Sequence, residues 1–491
     1  MNLKKILISL WIILVILLWW WRFWHFVVQD IALGYDPGRY RAAFVWYMDL
    51  LPHFTFTDLD PWIQRIFPPF VGMYAVITEL VTQLGLDRSV TRWVAWQSAL
   101  VSLALYFVLS KIDKRVALTA ALLSWISFVQ YQVFWRNYIK QLWGMFFVLM
   151  VIGLCVRKKY RVALPIIIAL SVTHRPALLT LVFVVIFWVV GRLVGSIWDR
   201  ELTTKNNAIW LLIWVCLISG VIALPIYRDF LEIQIFPLFG RFVSSIDVPT
   251  IGDWFKAGGT FMTTGDFVQI NRVILLMSVI WCGMSIRRAE YRWIHAWYIF
   301  SMIWIFGQLA FYQRMMGYGD LFLLAMAGVG SRRLIDQYRK IWRVVLVGVF
   351  GIQWVTYAYR VGRSWRPLIE KDEFAFIQTL PDILPEDATV MSTHSIYSLR
   401  LNGRSERPTI APGLFEIDQR NKSDRKTYRE SDGEVKCDML QETYWDTLDN
   451  IYIWQGSKQQ VDDVTGGDCF SVYSASKTRL PWRMYEVKLT E

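Results

Sequence analysis

A carboxylate and several guanidinium groups are interleaved early in the chain, at Tyr35-Asp36-Pro37-Gly38-Arg39-Tyr40-Arg41. Side chains of these types divide one kind of labour between them. Arginine clamps a phosphate, while a carboxylate removes the proton from an incoming nucleophile. The same stretch continues through Asp49, His53, Asp58, Asp60 and Arg65. Further polar groups stand between later apolar runs: Arg136 and Lys140, His174 and Arg175, Arg314 and Asp320. Asp58-Leu59-Asp60 is a D-x-D pair, of the kind that shares a divalent cation with a phosphate.

Each of these residues also has a plainer reading. Tyr40, Ala43, Phe44, Tyr47 and Leu51 fall near helical spacing, which predicts a helix from Gly38 to Leu51. Asp36-Pro37 then sits where Asp is a good N-cap and Pro a good first residue. Any acidic loop yields a D-x-D pair. A single arginine anchors at a lipid head group as readily as it holds a substrate, and His174 has neighbouring carbonyls to bond. No zinc-ligand spacing, phosphate-cradling glycine loop or nucleophile elbow occurs, so beyond the candidate divalent cation no cofactor is indicated, and ATP-driven transport has no support in the sequence.

The elements that must position these groups are apolar. Of the 491 residues 55% are hydrophobic and only 19% charged, and the charges cluster between long greasy runs. A bilayer crossing takes about 20 apolar residues, and the chain supplies many such runs. The fold class predicted is therefore a polytopic α-helical membrane protein with about 11 transmembrane helices. The net charge of +12 does not signal nucleic acid. It resides in short clusters between spans, Lys111 to Arg115, Arg157 to Lys159, Arg287-Arg288, Arg332-Arg333 and Arg339-Lys340, and loops of that kind stay cytoplasmic.

With Lys4 and Lys5 inside, charge and parity agree for spans at Ile6–Val28, Val90–Leu109, Val116–Phe134, Leu142–Val156, Val162–Val172, Ala177–Val194, Ile209–Ile226, Val273–Met284, Trp293–Ala310, Leu321–Val329 and Val344–Tyr357. The first is read as uncleaved, since Trp19, Trp20, Trp21 and Trp24 follow it in place of a small-residue cleavage site. Phe70 to Leu84 is read as an interfacial or re-entrant helix. This scheme puts the N-terminus in the cytoplasm and the loop of residues 34–89 outside, within a membrane domain of residues 1–360 in a cell membrane. Residues 361–491 are polar and turn-rich, and predict a small extracytoplasmic α/β or mixed domain. Lys371 to Leu380 reads as a helix ended by Pro381, and Thr389–Ser392 and Asn450–Trp454 as strands. Cys437 and Cys469 both fall in that outer domain, where a disulfide is expected and two separate thiols are the alternative. Cys155, Cys216 and Cys282 lie in spans and read as small apolar fillers.

The order of these features resembles the GT-C superfamily of integral-membrane glycosyltransferases, in the branch of the protein O-mannosyltransferases and the lipid A aminoarabinose transferases. That branch opens with one span and an outer loop reading roughly Asp-Glu-x-x-Arg-Tyr, then a helix and a Lys-Pro-Pro element. Asp36-Pro37-Gly38-Arg39-Tyr40 is similar to the first element and Phe67-Pro68-Pro69 to the second. Val172-Thr173-His174-Arg175-Pro176 is similar to a later turn. The opening of the outer domain at Phe376-Ile377, Leu380-Pro381, Asp387-Ala388-Thr389-Val390 and Leu401-Asn402-Gly403-Arg404 also matches.

What the resemblance implies is inverting transfer of a sugar from a polyprenyl-phosphate donor, with Asp36 as the catalytic carboxylate. Arg39, Tyr40, Arg65, Arg136, His174, Arg175 and Arg314 are the expected substrate and phosphate contacts, and the acceptor is a lipid, glycan or protein. Two departures stand out. Pro37 stands where the family has its second acid, which tells against a paired-acid metal site, and Phe67 replaces its lysine, so that phosphate contact falls to Arg65 or another arginine. Membrane lipids are expected partners and nucleic acid is not. The alternatives are a lipid-linked polysaccharide polymerase or ligase acting through Arg228, Arg241 and the loop to Asp266, a lipid or sugar transporter, and a non-catalytic assembly partner.

Overall fold

The computed structural model describes residues 9, 12–13, 15–24, 34, 37–50, 86–174, 176–178, 180–186, 214, 217, 261–285, 291–309, 312–337, 341–364, 366–410, 427–444, 450–459, 465–473 and 482–488. The chain forms two compact units. One gathers Met1–Trp24, Phe67–Val71 and Trp93–Trp365, the other His25–Ile66, Gly72–Arg92 and Arg366–Glu491.

The first unit is helical. Its described helices include the part of α2 (Leu86–Leu109) from Trp93 onward, α3 (Lys114–Trp125), α4 (Phe128–Trp135), α5 (Ile139–Val156), α6 (Tyr160–Ser171), α7 (Thr264–Ser285), α8 (Arg292–Phe306), α9 (Tyr312–Gln337) and α10 (Ile341–Ser364). Residues 15–24 and the stretch Pro176–Ile186 are helical as well. Among the described residues, α5 and α7 are long and apolar enough to cross a membrane singly, and α3 with α4 qualifies as a bent pair.

Two helices differ from the spans predicted. The expected run Val116–Phe134 is broken, and α3 meets α4 at 54°. Ser127 causes the break: its side chain accepts from the Gln130 N–H and so caps a new helix start. The expected run Leu321–Val329 is the middle of the 26-residue helix α9. The apolar pattern stops early because α9 carries Arg314, Gly317, Gly319 and Asp320, which neighbouring helices cover and satisfy. Arg314 and Asp320 are therefore helix residues, not loop residues. The expected spans at Ile209–Ile226 and the helix at Phe70–Leu84 lie outside the described residues, apart from helical positions 214 and 217.

The second unit contains α1 (Pro37–Leu50), α11 (Lys371–Gln378), α12 (Leu380–Ile383), α13 (Ser395–Arg404), α14 (Gly433–Tyr444) and a five-stranded sheet. Its strands are β1 (Ala388–Ser392), β2 (Thr409–Ile410), β3 (Asn450–Gln455), β4 (Phe470–Val472) and β5 (Arg483–Val487), in the order β2-β1-β3-β5-β4. β1 pairs in parallel with β2 and β3, with Val390 opposite Thr409 and Tyr452. β5 runs antiparallel to both β3 and β4. A parallel strand is covered on both faces, and all five residues of β1 are buried. Phe374, Ile377, Leu380, Tyr397, Leu401, Trp454 and Met484 form the core on one side, and Met391, Ile410, Leu440, Ile453 and Val487 on the other. Cys437 of α14 and Cys469, just before β4, are joined, with Cα atoms 6.0 Å apart.

Candidate functional site

The first unit builds a polar interior out of helices that are otherwise greasy. Asp320 is fully buried in α9. Its Oδ2 accepts from Ser127 Oγ at 2.7 Å and Gln130 Nε2 at 2.9 Å, and its Oδ1 from Asn271 Nδ2 of α7 at 3.2 Å. Gln130 Nε2 donates in addition to the Gly317 carbonyl at 3.0 Å. One buried carboxylate thus ties α4, α7 and α9 together. Arg22, also buried, donates to the Gln130 carbonyl at 3.4 Å and lies over the rings of Tyr131 and Phe134, at 5.3 Å and 4.7 Å.

A second cluster gathers where the corner between α4 and α5 meets the first turns of α9. Asn137 takes a left-handed φ of 59°, and this tight corner between α4 and α5 sets Arg136 and Tyr138 side by side. Arg136 Nη1 donates to the Tyr138 hydroxyl at 3.4 Å. The Arg314 guanidinium lies 3.9 Å from the centre of the same tyrosine ring, a close cation–π contact. Gln141 Nε2 donates to the Arg314 carbonyl at 3.0 Å, so α5 and α9 are latched at this level. One turn on, Tyr318 shares a hydrogen bond of 3.0 Å with His174 Nδ1 at the end of α6. Arginine, tyrosine and histidine from three separated stretches of sequence therefore converge on the α5–α9 seam. Cationic and hydroxyl donors so arranged suit an anion with several oxygens.

The structure places the sequence-derived candidates unevenly. It brings Arg136, His174 and Arg314 into one cluster. Arg39 and Tyr40 lie in α1 of the second unit, where Tyr40 is buried against Phe44, with ring centres 6.3 Å apart. Asp36, Asp58, Asp60, Arg65 and Arg175 lie outside the described residues, as do Arg228 and Arg241. Asp266 opens α7, where its carboxylate accepts from Thr263 Oγ1 at 2.7 Å. Among the described residues no group of three or more His, Cys, Asp or Glu side chains is placed to hold a metal ion.

This arrangement of helices and sheet has a counterpart among solved structures. ArnT from Cupriavidus metallidurans in the apo state superposes with a TM-score of 0.58 at 11% identity, over 99% of this chain and 98% of that one. The chain shares the fold of ArnT. A second ArnT structure from the same organism, bound to undecaprenyl phosphate, matches at 0.58 and 10% identity over 98% and 97%. No protein-family profile matches the sequence, and no curated protein matches it. Identity this low is evidence of common architecture and leaves the chemistry to the residues.

Several participants escaped the sequence reading: Tyr138, Gln141 and Tyr318 around the arginines, and Ser127, Gln130, Asn271 and Arg22 around Asp320. The signal available was polarity inside apolar runs. Glutamine, asparagine and arginine within a hydrophobic stretch face a bundle interior far more often than lipid.

Proposed function

We propose that the chain is an integral-membrane glycosyltransferase that moves a sugar from a polyprenyl-phosphate donor to an acceptor on the extracytoplasmic face. The observation that carries this reading is the ArnT fold, shared over nearly the whole length of both chains, one example being bound to undecaprenyl phosphate. The convergence of Arg136 and Arg314 on Tyr138 supports it from the side of chemistry.

In this reading about 11 spans cross the membrane between residues 1 and 360. The N-terminus faces the cytoplasm, and residues 361–491 form the outer domain. The donor's isoprenoid tail lies along apolar helix faces and its phosphate is held by arginines, Arg136 and Arg314 first among them, with Arg65 and Arg175 as further candidates. Asp36 removes the proton from the acceptor hydroxyl or amine as that group attacks the anomeric carbon. The bond from this carbon to the phosphate oxygen breaks with inversion, and the phosphate leaves with its charge already balanced by fixed guanidinium groups. Such preorganised charge is the largest single contribution in many enzymes.

The experiment is transfer from undecaprenyl phosphate carrying a radiolabelled hexose or aminopentose, by the purified protein in proteoliposomes with a cell-envelope fraction as acceptor. Asp36→Asn is expected to insert normally and to abolish transfer. Full turnover by that variant removes Asp36 from the mechanism. Movement of unmodified lipid across the bilayer without label transfer replaces the enzyme reading with a transporter.

A further inference from the structure

Arg22 is a cation buried in an apolar bundle with nothing negative beside it. It follows Leu18 by four residues in the helical stretch 15–24, and both face inward, Arg22 with 1% of its surface exposed. Among the described residues its guanidinium makes one hydrogen bond, from Nη1 to the Gln130 carbonyl, and lies over the Tyr131 and Phe134 rings. Its Nε is buried without a partner, and no carboxylate of the described residues comes within ion-pair distance. Ring faces offset part of the cost of burying a charge, but they offer no oxygen lone pair to an N–H. A charge at this depth is normally paired, and an unpaired one marks a binding site.

A second unused donor stands close by. Trp21 donates its Nε1 to the Tyr357 hydroxyl of α10 at 3.3 Å, and among the described residues that hydroxyl gives its own hydrogen to no acceptor. The Tyr357 and Tyr131 rings meet nearly at right angles with centres 5.8 Å apart, so Arg22 and Tyr357 border the same ring. One turn along α10, the Arg360 guanidinium lies 5.6 Å from the Phe128 ring centre, a second positive charge where α10 meets α4. The seam between the first helix and α10 is flanked by exposed apolar side chains, Leu17 and Trp21 on one helix and Trp354 on the other. Trp20, Trp21 and Trp24 are exposed as well, and tryptophans so grouped sit at the depth of lipid head groups.

We propose that Arg22 and the Tyr357 hydroxyl hold the phosphate of a membrane lipid at the seam between the first helix and α10, in a site that shares no side chain with the Arg136–Arg314 cluster. A guanidinium fork matches the oxygens of a phosphate, and the tyrosine hydrogen supplies a further donor from the opposite helix. The anion that reaches such a seam sideways, past tryptophan and leucine, carries an apolar tail. This site is independent of sugar transfer, since it asks only for a lipid with a charged phosphate at head-group depth.

The test uses the full-length protein, delipidated in detergent, with native mass spectrometry and thermal unfolding as readouts. The probes are phosphatidylglycerol, undecaprenyl phosphate, uncharged diacylglycerol and inorganic phosphate. A variant carrying both Arg136→Ala and Arg314→Ala is expected to retain one phosphate-bearing lipid, and tighter binding of either lipid supports the site and names its source. Adding Arg22→Met weakens that binding roughly 10- to 100-fold, and Tyr357→Phe roughly 2- to 10-fold. Phosphatidylglycerol raises the melting midpoint of the wild type and not that of Arg22→Met. Without lipid, Arg22→Met is expected to melt no lower than the wild type, because an unpaired buried charge has gone. Should Arg22→Met fail to fold, Tyr357→Phe carries the test, since it keeps the arginine and the ring. Wild-type lipid affinity in both variants overturns the site, as does complete loss of lipid when only Arg136 and Arg314 are changed. Diacylglycerol or inorganic phosphate acting as strongly as the phosphate-bearing lipids overturns the assignment to a lipid phosphate.

Discussion

Gln130 donates its side-chain amide to the Asp320 carboxylate at 2.9 Å, across 190 residues of sequence. The same amide serves the Gly317 carbonyl, and Ser127 and Asn271 complete the shell around the acid. Removing the acid strands three buried donors. Each stranded donor costs on the order of 1 kcal/mol or more, so Asp320→Ala is expected to destabilise the first unit by about 3 kcal/mol. Asp320→Asn keeps the shape and one acceptor and is expected to cost less. Thermal unfolding in detergent measures both. Equal midpoints for wild type and Asp320→Ala would contradict a structural role for the network.

The Cys437–Cys469 bond closes a loop of 32 residues that runs from α14 through β3 to β4. Constraining a loop of that size stabilises a small domain by about 3 kcal/mol through the unfolded chain. Cys437→Ser with Cys469→Ser is therefore expected to lower the melting temperature of the outer domain and to speed its proteolysis, leaving the helices of the first unit unaffected. Intact-mass measurement with and without reductant shows whether the bond forms in the purified protein. A two-dalton increase on reduction is expected, as follows from the addition of two hydrogens.

Glu373 of α11 gives the outer domain a pH dependence. Its side chain is buried and accepts from Ser457 N at 3.0 Å and Ser457 Oγ at 2.8 Å. Burial pushes its carboxyl above the usual carboxylate range, and the Ser457 bonds offset only part of that. The folded state therefore holds the proton to higher pH than the unfolded one. Stability is full below the unfolded value of about 4.3 and declines as pH rises through the folded one. Glu373→Gln, neutral at every pH, is expected to flatten this decline. Melting of the outer domain between acidic and neutral pH is the measurement, and identical slopes in the two proteins would sink the assignment.

The parts of the fold that were legible from sequence depend on local chemistry. Pro37 starts α1, as its place after Asp36 predicts, and the apolar runs of α5 and β3 stand close to their expected bounds. Elements fixed by distant partners were not legible. Ser127 inside an apolar run gives no hint that it breaks the helix until Asp320 is opposite it. Gly317 and Asp320 look like a loop until Gln130 covers them. β2 is two residues long and exists only because β1 lies beside it. The docking of α1 on α13 joins glycines more than 350 residues apart, and no local pattern announces it.

The two arginines on Tyr138 make the most direct prediction about substrate. Arg136 reaches the hydroxyl and Arg314 the ring face, so the tyrosine separates two positive groups that would otherwise repel. A phosphate between them replaces that repulsion with charge-assisted hydrogen bonds, each worth about 1.5–3 kcal/mol. Arg314→Ala is therefore expected to weaken binding of undecaprenyl phosphate roughly 10- to 100-fold, and Arg136→Ala by a similar factor. Arg314→Lys keeps the charge but loses the planar contact with the ring and should fall between. Tyr138→Phe removes only the hydroxyl, so it should disturb Arg136 more than Arg314. Tryptophan fluorescence during titration with undecaprenyl phosphate reads the affinity, and the same titration with decanol reports binding of an apolar tail alone. Wild-type affinity in both alanine variants would place the phosphate elsewhere in the bundle, with Arg22, the buried cation beside Gln130, as the next residue to change.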